Sequence, residues 1–491
     1  MQQKFLQPSW AINDFKLSAM DSIFDDYHHP DVSSSFTITE DSSETSVESL
    51  LTSILSDQEI MEEGISSSAV EEVCKWLISD DHKQDMQNHQ SPCSILENEF
   101  RENNSEVVFA FPDDILNTDD KGNVHRLIKA YGEASENGLS ELKDVISQRI
   151  LEKINPLGEA AERVAFHLLR ESEETGSYLK QESSKNIESA FNVFYQSLPY
   201  GRFAHYIANQ SILESIPGDT ERVTIIDFDI RDGTQWPYVL ENIASRKILE
   251  LRIISIKLEE NEICPSSWKL EETKRRLHQL ANTCGLVLKF EEIRLDALMT
   301  ELKRMKKTSS VREWTAFNCM FGLPHMHRRR SRIQAMEFMF TAKVFLSDYM
   351  NRREIITFGD GETGESMMPC SSYASFFSNH FRHYQAFFES MEMHFPVYLR
   401  DARIAMECLY LSPYVSTNSW FQLWKEKSQI SDLREEIGLK GCKMSKESIM
   451  EAKVMVNKAN SLYTVTVEGQ ELNEMVLEWR GTPLIRVSTW I

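Results

Sequence analysis

The residues best suited to chemistry lie in one short stretch, Asp227-Phe228-Asp229-Ile230-Arg231-Asp232-Gly233, directly after the apolar run Val223-Thr224-Ile225-Ile226. A continuous apolar run ended by an acid is the pattern of a buried parallel strand, and open α/β sheets take ligands beyond the carboxyl ends of such strands. Asp227 and Asp229, with Glu259 past the next strand, would suit a nucleotide or S-adenosylmethionine cofactor. The loop argues against one. Cofactor loops carry several glycines so that backbone can approach phosphate or ribose, and this loop has only Gly233. Phe228, Ile230 and Arg231 carry side chains where approach would have to be close. Glu259 and Glu260 read better as solvated strand-end acids.

Other chemistry is thinner. His325 and His327 follow the apolar run 315–320, with Cys319 inside it, but two His at this spacing make a poor zinc site without two further ligands nearby. The eight cysteines are scattered with no CxxC pair, which fits reduced, unlinked thiols. No Gly-x-Ser-x-Gly elbow, Walker loop or His-Glu-x-x-His sequence is present. Two basic runs could meet DNA phosphates or import machinery: Lys303, Arg304, Lys306 and Lys307, then Arg328, Arg329, Arg330 and Arg332. Such runs are more often solvated helix faces.

The elements that must position these residues follow from periodicity. Val124, Leu127, Ile128 and Tyr131 recur at helical spacing, and Leu142, Val145, Ile146, Ile150 and Ile154 form a second stripe ending before Pro156. Further helices are predicted near 158–172, 184–197 and 203–215. Past Pro217-Gly218-Asp219 the pattern alternates. Strands at 223–227, 251–256, 286–290 and 315–320 are separated by helices near 268–283, 296–306 and 331–343, with Val344-Phe345-Leu346 as a fifth strand. That alternation predicts an α/β fold with a doubly wound parallel sheet. Strands 463–467, 475–479 and 484–490, joined by short Gly-containing turns, predict an antiparallel C-terminal meander.

Charge divides the chain. Of 76 Asp/Glu and 53 Lys/Arg, residues 1–120 hold 26 acids and 5 bases, so the remainder is nearly neutral. The acidic quarter also has 19 Ser and little apolar content, and is expected to be a disordered arm. Three clusters interrupt it: Leu50, Leu51, Ile54 and Leu55; Val70, Val73, Trp76 and Leu77; Phe109, Phe111 and Ile115. Short amphipathic pieces in an acidic background suit folding on a partner's groove, although a plain solubilising tail would look similar. No signal peptide or membrane span is evident, so a soluble intracellular protein is expected.

Several motifs, in order, resemble the plant GRAS-domain transcription regulators. Val223, Ile225, Ile226, Asp227 and Asp229, then Gly233, Gln235 and Trp236, are similar to the family's VHIID core, with Thr224 in place of the His. Phe381, His383, Tyr384, Phe387, Arg403 and Glu407 resemble the PFYRE region, and Trp479, Arg480, Ser488 and Trp490 the SAW motif. The stretch 124–154 stands where the first leucine-rich region belongs. Tyr206-Ile207-Ala208-Asn209-Gln210 and Phe317-Asn318-Cys319-Met320 resemble the nodulation signalling pathway 2 branch. Residues 343–353 lack the usual Asn-Pro lead-in and acidic string, and no DELLA-type motif is present.

The resemblance implies a Rossmann-like core akin to class I methyltransferases at 218–491, a helical cap at 121–217, and no catalysis, cofactor or metal. It also implies nuclear transcriptional regulation through GRAS homo- or heterodimers and other transcription regulators, with DNA contact varying among members. Val124, Leu127, Ile128, Tyr131, Leu142 and Ile146 are the expected partner-binding residues. Asp227, Asp229, Gln235 and Trp236 are expected to be mainly structural. The competing reading is a methyltransferase-like enzyme that binds S-adenosylmethionine or a nucleotide in the same cleft.

Overall fold

The computed structural model describes residues 120–169, 191–192, 194–246, 248–258, 270–308, 311–326, 330–347, 354–362, 372–395, 400–429, 439–457 and 462–491. The acidic arm with its three clusters, and Glu259, Glu260, His327, Arg328 and Arg329, lie outside the described residues.

Three helices open the domain: α1 (Asp120–Glu136), α2 (Ser140–Lys153) and α3 (Ala160–Leu169). Helix α4 (Pro199–Ser215) leads to the alternating region: β1 (Arg222–Asp227), α5 (Pro237–Ala244), β2 (Glu250–Lys257), α6 (Leu270–Thr283), β3 (Val287–Arg294), α7 (Leu295–Thr308), β4 (Glu313–Phe321), α8 (Arg332–Ser347) and β5 (Ile355–Asp360). Helices α9 (Tyr373–His394), α10 (Arg400–Met406), α11 (Thr417–Gln429) and α12 (Lys446–Val456) follow. The chain ends in β6 (Tyr463–Glu468), β7 (Glu474–Trp479) and β8 (Thr482–Trp490).

All eight strands form one sheet in the order β3-β2-β1-β4-β5-β8-β7-β6. The first five run parallel, whereas β8 joins β5 antiparallel and the meander continues outward through β7 and β6. The β7–β8 turn is tight because Arg480 and Gly481 take φ of 48° and 79°, the left-handed pair that two-residue hairpins require.

Alternate side chains of the parallel strands enter separate cores. Val223, Ile225, Leu251, Ile253 and Ala316 pack with residues of α4, α5 and α6. Ile226, Ile254, Phe317 and Ile356 pack with α7 and α8 on the other face. A third core joins α1, α2, α3 and the first half of α4 to α9, α11, α12 and the meander. The cap therefore shares its core with C-terminal elements.

Two expectations are corrected. Val344-Phe345-Leu346 is the end of α8, not a strand. Ala335, Phe338, Met339, Ala342 and Phe345 are buried at helical spacing, and a three-residue apolar run cannot distinguish helix from strand by itself. The fifth strand is Ile355–Asp360, every residue of it buried. The second correction concerns the cap stripe. Val124, Leu127, Ile128, Tyr131, Leu142 and Ile146 are at most 9% exposed and lie within the chain's own core, with Tyr131 against Phe377 of α9. Burying each such side chain stabilises by about 1.5–3 kcal/mol, so the stripe holds the cap down and is not open to a partner.

Candidate functional site

Strand β1 delivers Asp227 to the carboxyl edge of the sheet, beside Asn318 of β4 and Ser255 of β2. Its carboxylate is held twice: Asp229 N donates to Oδ1 at 3.1 Å and Trp236 Nε1 to Oδ2 at 2.7 Å. Burial pushes its pKa up to about 7, although both donors favour the ionised form. Asp229 differs. Burial raises it too, but Arg231 and Arg330 more than offset that, and its pKa falls below the ordinary carboxylate value. Arg231 Nε lies 2.9 Å from Oδ2, and Arg330 donates to both oxygens at 2.7 and 3.1 Å. Desolvation pushes the half-buried Asp232 up to about 7 as well, against the pull of Arg276.

Helix α6 closes the loop from one side. Thr273 Oγ1 donates to Arg231 O at 3.0 Å and Arg276 Nη2 to Asp232 O at 2.9 Å. Gly233 has φ 72°, and a Cβ there would lie 2.8 Å from the Thr273 methyl, so this glycine serves helix packing instead of ligand approach. Behind the loop, Gln235 Nε2 donates to Asn209 Oδ1 at 3.1 Å and Asn318 Oδ1 at 3.0 Å. Asn318 Nδ2 returns a bond to Gln235 Oε1, and Thr357 Oγ1 donates to Asn318 Oδ1 at 2.9 Å. This buried chain ties α4, the loop, β4 and β5 together. Such networks fix one arrangement when every member is satisfied.

The cleft that remains is bordered by Phe191, His205, Asp227, Arg231, Gln235 and His325, and leaves room for about one or two waters. His205 contacts the Tyr195 hydroxyl through Nδ1 at 2.8 Å. Burial lowers its pKa to about 3, so it is neutral at physiological pH. The His325 ring sits 5.0 Å from that of His205 and packs against Tyr195 and Phe191. Among the described residues, no group of three or more His, Cys, Asp or Glu is placed to hold a metal ion.

The two basic runs differ in the residues described. Arg330 and Arg332 are 13% and 12% exposed and turn inward, Arg330 to Asp229 and Arg332 to Asp360 at 3.4 Å. They neutralise strand-end acids and are not presented to a nucleic acid. Lys303 is exposed, and Arg304 is exposed while paired with Glu301. Lys306 and Lys307 lie in α7, but only its backbone is described there.

The PFYRE-like and SAW-like residues assemble elsewhere. Arg163 of α3 forks onto Glu407 at 3.0 and 3.1 Å and also meets Glu392, while Arg403 bonds Glu392 at 3.4 Å and approaches Glu407 at 3.6 Å. Buried apart from the exposed Glu392, this cluster fastens the cap to α9 through Glu392 and to the turn after α10 through Glu407. His383 places one ring nitrogen 3.0 Å from Pro483 O and the other 3.0 Å from Gly361 O, linking α9 to the start of β8 and the residue after β5. Phe381, Tyr384 and Phe387 are buried around it. Trp479 packs on Tyr463 with centroids 4.8 Å apart. Arg480 lies over Trp479, and Ser488 accepts from Trp490 Nε1 at 3.0 Å. Periodicity could not reveal Arg163, Asn209 or Thr357 as members of these networks. The only available signal was a polar residue within an apolar run, as with Asn318 and Arg163.

Residues 124–491 match the model of the GRAS domain family. Protein NODULATION SIGNALING PATHWAY 2 of Medicago truncatula is 29% identical over 309 residues, 62% of this chain and 58% of that protein. Its namesake from Lotus japonicus is 28% identical, and again the chain spans 58% of its length. Scarecrow-like protein 26 of Arabidopsis thaliana is 25% identical over 75% of this chain and 77% of its own. The crystal structure of SCL7 from Oryza sativa superposes with a TM-score of 0.51 at 19% identity, covering 75% of this chain and 99% of that one, a likeness of fold.

Proposed function

The chain belongs to the GRAS domain family, and on that premise we propose that it is a plant nuclear transcriptional regulator acting through protein–protein association. Its folded domain is a scaffold that pairs with another GRAS-domain protein and meets other regulators; it is not an enzyme. The observation that supports this most is the state of the strand-end cleft. Arg231 and Arg330 are taken up by Asp229, Trp236 by Asp227 and Gln235 by Asn318, and the cleft left between them has room for about one or two waters. Titration calorimetry of the full chain with S-adenosylmethionine tests it. No heat of binding is expected, and micromolar affinity would favour the enzyme reading instead.

Pairing through the cap needs its outward face, since the apolar stripe is buried. That face is polar: His125, Lys129, Glu141, Asp144 and Gln148 are exposed along α1 and α2. An interface there gains specificity from charge and hydrogen bonds. Among the described residues of the two basic runs, Lys303 and Arg304 of α7 are exposed and are the ones open to direct DNA contact. Such contact would weaken steeply as salt rises.

A further inference from the structure

Strand β3 ends the sheet, and among the described residues no strand pairs with its outer side. An edge of this kind offers a row of backbone donors and acceptors to another strand, and proteins commonly close it to copies of themselves with a lysine. Strand β3 carries Lys289 near its middle, but with Glu291 two residues on. Alternation puts Val287, Lys289, Glu291 and Ile293 on the α7 face of the sheet, and Leu288, Phe290 and Glu292 on the α6 face. Helix α7 leaves much of its row open: Val287 is 55% exposed, and the side chains of Lys289 and Glu291 are 52% and 38% exposed.

Two copies joined edge to edge and antiparallel are related by a dyad normal to the sheet. That symmetry keeps each face continuous and sets residues of the same face opposite one another. A dyad centred on residue 289, 291 or 292 opposes Lys to Lys or Glu to Glu. Centred on Phe290, it pairs all of 287–293 and opposes no like charges. Lys289 meets Glu291 of the second copy at two symmetric places, Val287 meets Ile293, and the two Phe290 side chains meet at the dyad. Leu288 opposite Glu292 is the one mismatched pair. Opposite charges and apolar or aromatic pairs at facing positions are what stabilise a strand pair. Both charges have partners within the chain and capacity beyond them. Lys289 Nζ lies 2.8 Å from Glu250, which Arg222 also holds at 2.8 Å, while Arg252 is shared between Glu291 at 2.6 Å and Glu301 at 3.0 Å. An ammonium has three donors and a carboxylate about four lone-pair sites, so each can take a second partner.

We propose that β3 is a self-complementary edge through which two copies of this chain join antiparallel about Phe290 into one continuous sheet. The cap shares its core with the meander, at the other end of the strand order from β3. The join therefore leaves both caps open, and a joined pair can carry two cap partners in one assembly. A strand pair of this length is a small interface, below about 1,200 Å², and such interfaces are weak. It forms at micromolar concentration, or where partners already hold two chains close, and is lost on dilution.

Sedimentation equilibrium of the full chain over roughly 1–200 μM, a range suited to a weak interface, tests this. The wild-type chain should pass from monomer to dimer. Lys289→Glu and Glu291→Lys, each alone, oppose like charges at both symmetric places and should weaken the dimer at least tenfold. An equal mixture of the two variants opposes Glu to Lys at every charged position, so association should return to within about threefold of wild type. Loss of a fold or of a contact within one chain could not produce that recovery. Both positions are exposed and melting curves should stay close to wild type. If either variant does not fold, Val287→Lys decides, since it sets a charge against Ile293 of the second copy from an exposed site. A wild-type chain that stays monomeric, single variants that associate as wild type, a mixture that stays monomeric, or undiminished pairing of Val287→Lys would each overturn the proposal.

Discussion

Arg330 forks onto Asp229, its Nε 2.7 Å from one carboxylate oxygen and its Nη2 3.1 Å from the other. A planar guanidinium meeting a carboxylate with two parallel bonds is among the stronger polar contacts a protein makes. Here it joins the end of β1 to the approach to α8. A residue in an apparent nucleic-acid run is thereby an internal fastener.

Removing that fastener leaves a buried carboxylate with only Arg231. Arg330→Ala is expected to cost about 3 kcal/mol, the lower end for breaking a buried pair. Arg304→Ala, on an exposed and solvent-screened pair, should cost far less. Urea denaturation of both variants measures the difference. Equal, small losses would show that Arg330 is not engaged as described.

The cap stripe gives a contrast between core and surface. Leu127→Asp with Ile128→Asp places charge in the core and should unfold the cap, lowering the melting temperature by many degrees. Lys129→Glu with Asp144→Lys changes exposed positions and should leave melting unchanged. Thermal unfolding followed by circular dichroism distinguishes the pairs. A stable Leu127/Ile128 variant would restore the stripe as a surface.

Much of the fold was legible in the sequence, since strands β1 to β4 and the meander fall close to their expected positions. Long runs bounded by Gly, Pro or Asp carry that signal. The fifth strand was misplaced because Val344-Phe345-Leu346 is apolar both as a helix end and as a strand. The site was less legible. Asp227 and Asp229 stood out as strand-end acids, but their opposite electrostatic fates depend on which guanidiniums reach them across a hundred residues of chain. Periodicity located the cap's apolar face correctly, yet could not say whether it met the chain's own α9 or a partner.

Those opposite fates set a pH dependence. Asp227 has its folded pKa raised from an unfolded value near 4 to about 7. Its contribution is therefore fully present below pH 4 and is lost as pH rises toward 7, by about 4 kcal/mol at most. Asp232 acts in the same direction. Asp229, with its pKa lowered, works oppositely, stabilising above its unfolded pKa and losing that as pH falls. Asp227→Asn should flatten the decline between pH 4 and 7. It should also cost about 1–3 kcal/mol, because the Trp236 or the Asp229 N–H loses its acceptor. Denaturation curves across that range check both; an unaltered slope would mean Asp227 titrates near its ordinary value.

Association is the centre of the functional reading, and affinity capture of the full chain from plant nuclei, with mass-spectrometric identification of what is retained, tests it most directly. A second GRAS-domain protein, or a second copy of this chain, is expected in near-equal amount, and Lys129→Glu with Asp144→Lys should release it while the fold survives. Capture of the chain alone, with no GRAS-domain partner at any salt, would contradict the account.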